Sequence, residues 1–214
     1  MTRYEKRLSA LREHLPPHSD GILITCEPHI LWLTGFSYTD GFLLVLREAA
    51  FAITDFRYAE AAAAAVDPAI TVEVPEGSRV SFLDELFRKH SVRTLLYEDH
   101  HLTCAALEQW KKDFPGQIFQ PSGRLHAALR HCKDEEEIQC IRRAQRIAER
   151  ALTETLHFLQ DNPHTTEVAV AAELEYRMRR GGSERPAFET IAVSGRASSL
   201  PHGVPRPISL ERGF

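Results

Sequence analysis

The amino-acid sequence predicts an α/β protein arranged in two blocks, and three observations support this prediction. Short apolar runs alternate with helical patterns over residues 1–123, which is typical of a sheet layered with helices. Asp40-Gly41 separates two of the early runs and is a hairpin-type signal, so the sheet is expected to be mixed rather than all parallel. After Lys133 the pattern changes to long amphipathic helices followed by sparse strand signals.

The first block begins with a helix whose apolar side chains recur at helical spacing as far as Leu15, and Pro16 ends it. Short apolar runs bounded by turn residues then predict four strands, at 21–25, 30–36, 41–46 and 50–54. An alanine-rich segment over 56–66 predicts a helix. Strands then alternate with helices, with strands at 70–74, 93–98 and 117–120 and helices at 81–90 and 103–114.

The residue pattern of the second block predicts two helices. Asp134 and Glu137 form a capping-box pattern ahead of a long apolar stripe, which predicts a helix of about seven turns. Thr165 or Thr166 can cap a second amphipathic helix, which Gly181 ends.

The domain organisation follows from these elements. Weaker strand-like runs occupy 186–195 and 207–210. The sequence predicts an N-terminal domain over 1–123, a linker over 124–132 and the beginning of a second domain over 133–214. Because a terminal strand pair exposes its edges unless more sheet follows, the second domain is expected to be incomplete and looser than the first.

Composition and charge exclude several classes of partner. The net charge of −4 gives no electrostatic basis for binding nucleic acid or an anionic membrane surface. The sequence shows no apolar segment of signal-peptide or membrane-spanning length, so a cytoplasmic protein is expected. The 4 cysteines show no CxxC pairing and are expected to be free thiols, and no metal ligands are assigned.

His202 has the most constrained setting of any histidine in the chain. Pro201 fixes the backbone before it, and Gly203 permits a tight turn or the close approach of a ligand. Such a loop holds an imidazole in one direction, which suits a hydrogen bond to a substrate or general acid–base catalysis. An ordinary surface histidine in a Pro/Gly turn is the alternative, and the local sequence leaves both interpretations open.

Other candidate chemistry is weaker. Ser198 and Ser199 lie near His202, but no GxSxG nucleophile motif is present. Glu98 and Asp99 precede two consecutive histidines and resemble a metal cluster, although a loop leading into a helix is the better interpretation.

Taken in order, the segments resemble the creatinase/aminopeptidase P/prolidase family. ILWLTGF, GFLLVL and TDFRYAEAA resemble its creatinase-type N-terminal domain, and KDEEEIQCIRRAQRIAERAL resembles the first helix of its catalytic domain. The stretch from TTEVAVAAELEYRMRR to SSLPHG resembles the next helix, the first strand and the histidine loop. The resemblance implies an α/β domain with a mixed sheet, followed by an incomplete α+β catalytic domain of the pita-bread fold.

The resemblance also implies site residues. The histidine of the PHG loop contacts substrate in peptidase members, so His202 is the catalytic and substrate-binding candidate. In dimeric members the loop after TGF approaches the partner's active site. Tyr38 and Asp40 are therefore further substrate-binding candidates, and a homodimer is expected.

Peptidase members bind two divalent ions, commonly manganese, through two Asp, one His and two Glu. These ligands are expected after the last residue of the sequence, the first of them in a D-[FL]-G context. This chain alone is therefore expected to bind no metal and to be inactive.

The implied activity is that of an Xaa-Pro aminopeptidase or dipeptidase acting on proline-containing peptides. A metal-free, creatinase-like amidinohydrolase, in which His202 would be the base, is one alternative. A non-catalytic pita-bread binding module is another.

Overall fold

A computed structural model describes residues 1–211, which divide into two compact units. Unit 1 is Met1–Cys132, and unit 2 begins at Lys133. Unit 1 contains a six-stranded sheet with helices, whereas the described part of unit 2 consists of two helices and an irregular segment.

The bounds of the elements are as follows. Unit 1 contains α1 (Arg3–Glu13), β1 (Gly21–Ile24), α2 (Glu27–Thr34), β2 (Phe42–Leu46), β3 (Ala50–Ile53), α3 (Ala59–Ala65), β4 (Thr71–Glu73), α4 (Arg79–Lys89), β5 (Thr94–Tyr97), α5 (Cys104–Asp113), β6 (Ile118–Pro121) and α6 (Leu125–His131). Unit 2 contains α7 (Glu135–Asp161), α8 (Glu167–Arg180) and a 3₁₀ helix (Gly195–Ser199).

The sheet has the strand order β4-β3-β2-β1-β5-β6 and is mixed, as predicted. β2 is antiparallel to both β1 and β3, whereas the pairs β1–β5, β5–β6 and β3–β4 are parallel. In register, Leu23 lies opposite Leu44 on one side and Tyr97 on the other. The carboxyl ends of β1 and β5 therefore meet at the same edge of the sheet.

Two hydrophobic clusters cover the two faces of the sheet. Ile22 and Ile24 pack with side chains of α1 and α2, while Leu23 between them packs with side chains of α4. This alternation is what a strand buried on both faces requires.

One predicted strand is wrong: residues 30–36 belong to α2 and the turn after it. Pro28 lies in the first turn of this helix, and Gly35 ends it in the left-handed conformation, with φ 81°. The helix buries Ile30, Leu33 and Thr34, which are spaced at i, i+3 and i+4. Its uninterrupted apolar run had the length and composition of a buried strand.

Residues 124–132, assigned to a linker by sequence, contain the helix α6. Leu125 and Leu129 pack against the hydrophobic cluster that also holds α1, and His126 is buried. The apolar spacing of two leucines four residues apart explains why this short segment forms a helix on unit 1.

In unit 2 the two predicted helices are confirmed. Asp134 caps α7 in a reciprocal capping box with Glu137, and Thr166 caps α8. The predicted strands at 186–195 and 207–210 are not formed within the described residues, where only an isolated bridge joins Thr166 to Ser209. A strand requires a hydrogen-bonded partner, and the described part of this unit offers no sheet to pair with.

Two smaller findings concern the whole described chain. All four cysteines are free, as expected. Among residues 1–211, no helix combines the length and the apolar character needed to cross a bilayer.

Candidate functional site

The loop that carries His202 is held at both ends by one buried carboxylate. Glu167, the first residue of α8, is 0% exposed. It accepts hydrogen bonds from the backbone N and Oγ of Ser194, both at 2.7 Å. It also accepts bonds from the backbone N, Nε and Nη2 of Arg206, at 2.9, 2.9 and 2.7 Å. We call Glu167, Ser194 and Arg206 the loop clamp, because they join the residues flanking the 195–205 loop.

Within the loop clamp, the buried carboxylate of Glu167 is paired with the guanidinium of Arg206. Hydrogen bonds from the Arg206 guanidinium, with those from Ser194, hold the pKa of Glu167 well below its ordinary value, although burial acts in the opposite direction. The same contact raises the pKa of Arg206. A buried carboxylate requires this degree of hydrogen bonding, since an unpaired charge would be costly in the interior, whereas Arg206 remains partly exposed to solvent.

Backbone contacts complete the attachment of the loop. The backbone N–H groups of Glu167 and Val168, at the start of α8, donate to the carbonyls of Ile208 and Arg206, at 3.1 and 3.3 Å. These N–H groups have no partner within their own helix, so the chain after the loop satisfies them. The loop is therefore attached to the first turn of α8 by both side chains and backbone.

His202 is exposed and lines a cavity of about 470 Å³. Gly203 is buried against Val193, and a Cβ on it would lie 2.9 Å from a methyl carbon of that side chain. The glycine is thus required by close approach, which brings the loop against the preceding segment. The other walls of the cavity are formed by residues 188–191, Val204 and Pro205.

The cavity combines one imidazole with mainly apolar walls, to which Glu189 and Thr190 add polar groups. Such a surface can accommodate an apolar substrate group while the imidazole donates or accepts a hydrogen bond. The sequence singled out His202, which lies exposed at this cavity, and its catalytic role stays a prediction.

Tyr38 and Asp40, the other two candidates, lie in unit 1 on the loop after α2. Tyr38 is 1% exposed, and its hydroxyl donates to the carbonyl of Phe42 at 3.1 Å. Burial raises the pKa of Tyr38. Within unit 1 this side chain is part of the hydrophobic core, and its hydroxyl is not presented to solvent.

Asp40 is half exposed and belongs to a surface ionic network. Its carboxylate is paired with Arg57, which also pairs with Asp55 at 2.5 Å. Nη2 of Arg79 reaches the Asp40 carbonyl at 3.3 Å. The hydrogen bonds that Arg57 donates to Asp55 and Asp40 raise the pKa of Arg57, so the network keeps Asp40 paired on the surface.

Unit 1 also contains a polar cluster that the sequence analysis did not identify. Glu98, 4% exposed, follows β5 and accepts hydrogen bonds from the backbone N–H groups of Thr25 and Cys26, at 2.7 and 2.8 Å. His29 Nδ1 donates to its other oxygen. His126 of α6 stacks on His29, with ring centroids 4.4 Å apart and planes at 8°. We call Cys26, His29, Glu98 and His126 the sheet-edge cluster.

The charge state of the sheet-edge cluster follows from its partners. Burial alone would raise the pKa of Glu98, but hydrogen bonds from His29, Cys26 and Thr25, with the nearby His126, lower it overall. Burial lowers the pKa of His126 to about 4, which Glu98 offsets only in part. Near neutral pH the cluster therefore holds an ionised carboxylate beside a neutral imidazole.

The comparisons with known proteins agree with this architecture. The model of the creatinase/prolidase N-terminal domain matches residues 7–132, and the model of metallopeptidase family M24 matches residues 139–213. The chain belongs to the creatinase/aminopeptidase P/prolidase family. The predicted family is thereby confirmed.

Individual relatives show how much of a family member the chain represents. The uncharacterized peptidase YqhT of Bacillus subtilis is 32% identical over 91% of this chain and 54% of YqhT. The Xaa-Pro dipeptidase of Pyrococcus horikoshii is 30% identical over 91% of this chain and 53% of its own length. The chain thus spans about half the length of the curated relatives it matches.

Solved structures confirm the predicted fold class. The Xaa-Pro dipeptidase from Bacillus anthracis matches with a TM-score of 0.89 at 29% identity, covering 97% of this chain and 58% of that chain. The X-Pro aminopeptidase from Thermotoga maritima matches with a TM-score of 0.84 at 29% identity, over 99% of this chain and 58% of its own.

Membership in a metallopeptidase family implies a divalent metal cofactor. Within residues 133–211 of unit 2, no group of three or more His, Cys, Asp or Glu side chains converges on one point. The described part of this unit therefore does not itself fit a metal centre.

Proposed function

We propose that this chain provides the N-terminal domain and the histidine loop of an Xaa-Pro dipeptidase or aminopeptidase, which hydrolyses the bond preceding proline. The observation that carries the proposal is His202 on a clamped loop, lining a cavity with mainly apolar walls. The names of several relatives, among them Xaa-Pro dipeptidases, support a peptidase over the creatinase-like and non-catalytic alternatives.

In this function His202 binds and orients the substrate. The imidazole forms a hydrogen bond near the scissile amide, where it can stabilise charge that develops on the carbonyl oxygen. The apolar walls, which include Val204 and Pro205, accommodate the proline ring. The loop clamp fixes the direction of the imidazole, and a fixed donor needs little reorganisation in the transition state.

The remaining parts of the proposal concern the assembled enzyme. We propose two divalent ions, manganese in the first place, as the family cofactor, and a cytoplasmic homodimer as the assembly. Because the described residues of unit 2 do not fit a metal centre, the chain alone is expected to be inactive. Of the two loop candidates, Asp40 is the better placed to meet a substrate or partner, since Tyr38 is buried.

The proposal is tested with a fusion protein. Residues 1–211 are joined to the remaining C-terminal part of the Xaa-Pro dipeptidase from Bacillus anthracis, with which this chain shares its fold. The fusion is first checked for folding by circular dichroism and for bound metal by elemental analysis. We expect manganese-dependent hydrolysis of Ala-Pro by the fusion and none by the chain alone.

His202→Ala in the fusion should lower kcat/KM by about 10²–10⁴-fold, because one positioned hydrogen-bonding or acid–base group contributes that much. Metal content should stay unchanged. His100→Ala, an exposed histidine of unit 1, is the matched control. Unchanged kcat/KM in the His202 variant, or hydrolysis of creatine in place of Ala-Pro, would contradict the proposal.

A further inference from the structure

The sheet-edge cluster brings together the donor types of a transition-metal site. One ligand atom each of Cys26, His29 and Glu98 lies within 4.8 Å of the other two. These are a thiol sulfur, an imidazole nitrogen and a carboxylate oxygen. Within residues 1–211 no other group of three such side chains meets this condition.

The fold explains why these residues meet. Cys26 and His29 have the spacing Cys-x-x-His at the start of α2, directly after β1, so both side chains lie near the first turn of the helix. Glu98 follows β5, which is parallel to β1 and in register with it. The carboxyl ends of the two neighbouring strands therefore deliver the three ligands to one edge of the sheet.

The geometry is close to that of a bound ion. Tetrahedral zinc holds its ligands about 3.5 Å apart, given its bond lengths of about 2.0–2.3 Å. The separations here are at most 4.8 Å, so the longest would need to shrink by roughly 1 Å. His29 Nδ1, which is hydrogen-bonded to Glu98, would instead move away from that oxygen to bind the ion. His29 is 22% exposed, which leaves a route for an ion to enter from solvent.

The charges of the ligands would balance those of one divalent ion. A thiolate on Cys26 and the carboxylate of Glu98 together carry two negative charges, which one divalent cation neutralises. A buried site with no net charge avoids most of the desolvation cost of its separate ions. The mixed sulfur, nitrogen and oxygen donor set suits zinc and excludes a preference for the harder magnesium or manganese.

His126 provides a second, independent observation. The residue is 3% exposed, and its Nε2 is buried without a hydrogen-bond partner in the structure. Its Nδ1 lies 3.7 Å from Glu98 Oε1, and its ring is stacked against His29. A buried imidazole nitrogen without a partner calls for an explanation, and rotation of this ring towards the other ligands would supply a fourth donor.

We propose that the sheet-edge cluster is a zinc site in which Cys26, His29 and Glu98 are ligands and His126 completes the coordination. The site belongs to unit 1. Zinc binding would release the thiol proton of Cys26 and link β1, β5, α2 and α6 through one ion. Its role would be structural, since all four protein positions are occupied.

The experiment titrates the reduced, metal-free chain with Co²⁺ and then with Zn²⁺. We expect one Co²⁺ per chain, a thiolate-to-cobalt charge-transfer band in the near ultraviolet, and displacement of that band by Zn²⁺. At zinc concentrations about 100 times the Kd, the melting temperature of unit 1 should rise by roughly 5–10 °C. Mn²⁺ should bind at least tenfold more weakly.

Cys26→Ser is the decisive variant, because the Cys26 side chain makes no capping hydrogen bond and serine is tolerated at that position. It should lose the charge-transfer band and the zinc-induced stabilisation. Cys104→Ser, at an exposed cysteine that begins α5, is the matched control and should retain both. His126→Ala should weaken zinc binding by about 10–100-fold.

Absence of stoichiometric binding by the wild-type chain would overturn the proposal, as would equal binding by the two cysteine variants. Glu98→Gln tests the role of the carboxylate, provided that the circular dichroism spectrum of the variant is native. If that variant does not fold, Cys26→Ser decides alone. Activity of the peptidase plays no part in any of these measurements.

Discussion

Unit 1 and unit 2 are stabilised in different ways. Unit 1 buries apolar side chains on both faces of a six-stranded sheet, so its stability comes mainly from hydrophobic packing. In the described part of unit 2, α7 and α8 leave large apolar side chains exposed, including Leu152, Leu156 and Tyr176. Its irregular segment is held instead by the loop clamp. The candidate catalytic histidine, His202, thus lies on a segment fixed by polar contacts.

The largest expected difference comes from truncating an apolar side chain in each unit. Leu44 of β2 is 0% exposed, and Leu44→Ala should lower the free energy of unfolding of unit 1 by about 2–5 kcal/mol, because it leaves a cavity. Leu152 of α7 is 52% exposed, and Leu152→Ala should cost about 0.5 kcal/mol or less.

Urea unfolding, monitored by tryptophan fluorescence, measures the effect of Leu44→Ala directly. Both tryptophans, Trp32 and Trp110, lie in unit 1, so the signal reports that unit. Amide hydrogen exchange in α7 measures the effect of Leu152→Ala. Similar losses of stability in both units would show that unit 2 also depends on a hydrophobic core.

The second-largest expected effect comes from removing the charge of the loop clamp. Glu167→Gln removes the charge that pairs with Arg206 and should lower the exchange protection of residues 194–210, with a fall of several degrees in the melting of unit 2. Glu175→Gln, at an exposed glutamate of the same helix, is the matched control and should leave both unchanged. Unaltered protection in the Glu167 variant would mean that backbone contacts alone hold the loop.

The pH dependence of the clamp has a definite sign. The folded pKa of Glu167 lies below its ordinary value of 4.5, so the clamp stabilises unit 2 fully above that pH. Stability should be lost as the pH falls from 4.5 through the lower folded pKa. The Glu167→Gln variant should lack this part of the acid transition.

Much of the fold was predictable because local patterns and tertiary context agree. The strands around Leu23, Leu44 and Leu95 are short apolar runs bounded by turns, and α7 has both a capping box and an amphipathic stripe. The segment 30–36 was misassigned because its run of four apolar residues outweighed Pro28 and Gly35, which mark the two ends of α2.

Two segments explain why the sheet-edge cluster was missed. Cys26 is the N-cap residue of α2 and His29 lies in its first turn, just before the segment predicted to be a strand, and His126 lies on α6, within the predicted linker. Glu98 is separated from Cys26 by more than seventy residues, and only the parallel pairing of β1 and β5 brings them together. The spacing Cys-x-x-His was the one local signal available. His202, by contrast, could be named as a candidate from sequence because Pro201 and Gly203 flank it within one tripeptide.

The smallest expected effect compares two matched helix caps. Thr103 caps α5 in unit 1 and Thr166 caps α8 in unit 2, and each accepts a hydrogen bond from the N3 backbone at 3.2 Å. Replacing either threonine with alanine should cost about 1 kcal/mol. In unit 1 the loss should appear in cooperative unfolding, followed by Trp110. In unit 2 the loss should appear as amide hydrogen exchange that is about fivefold faster at the start of α8. This is where Thr166 forms the bridge to Ser209. If Thr166→Ala instead speeds exchange equally throughout unit 2, that unit unfolds as cooperatively as the core of unit 1. The contrast between the two units would then fail, because it rests on local opening in unit 2.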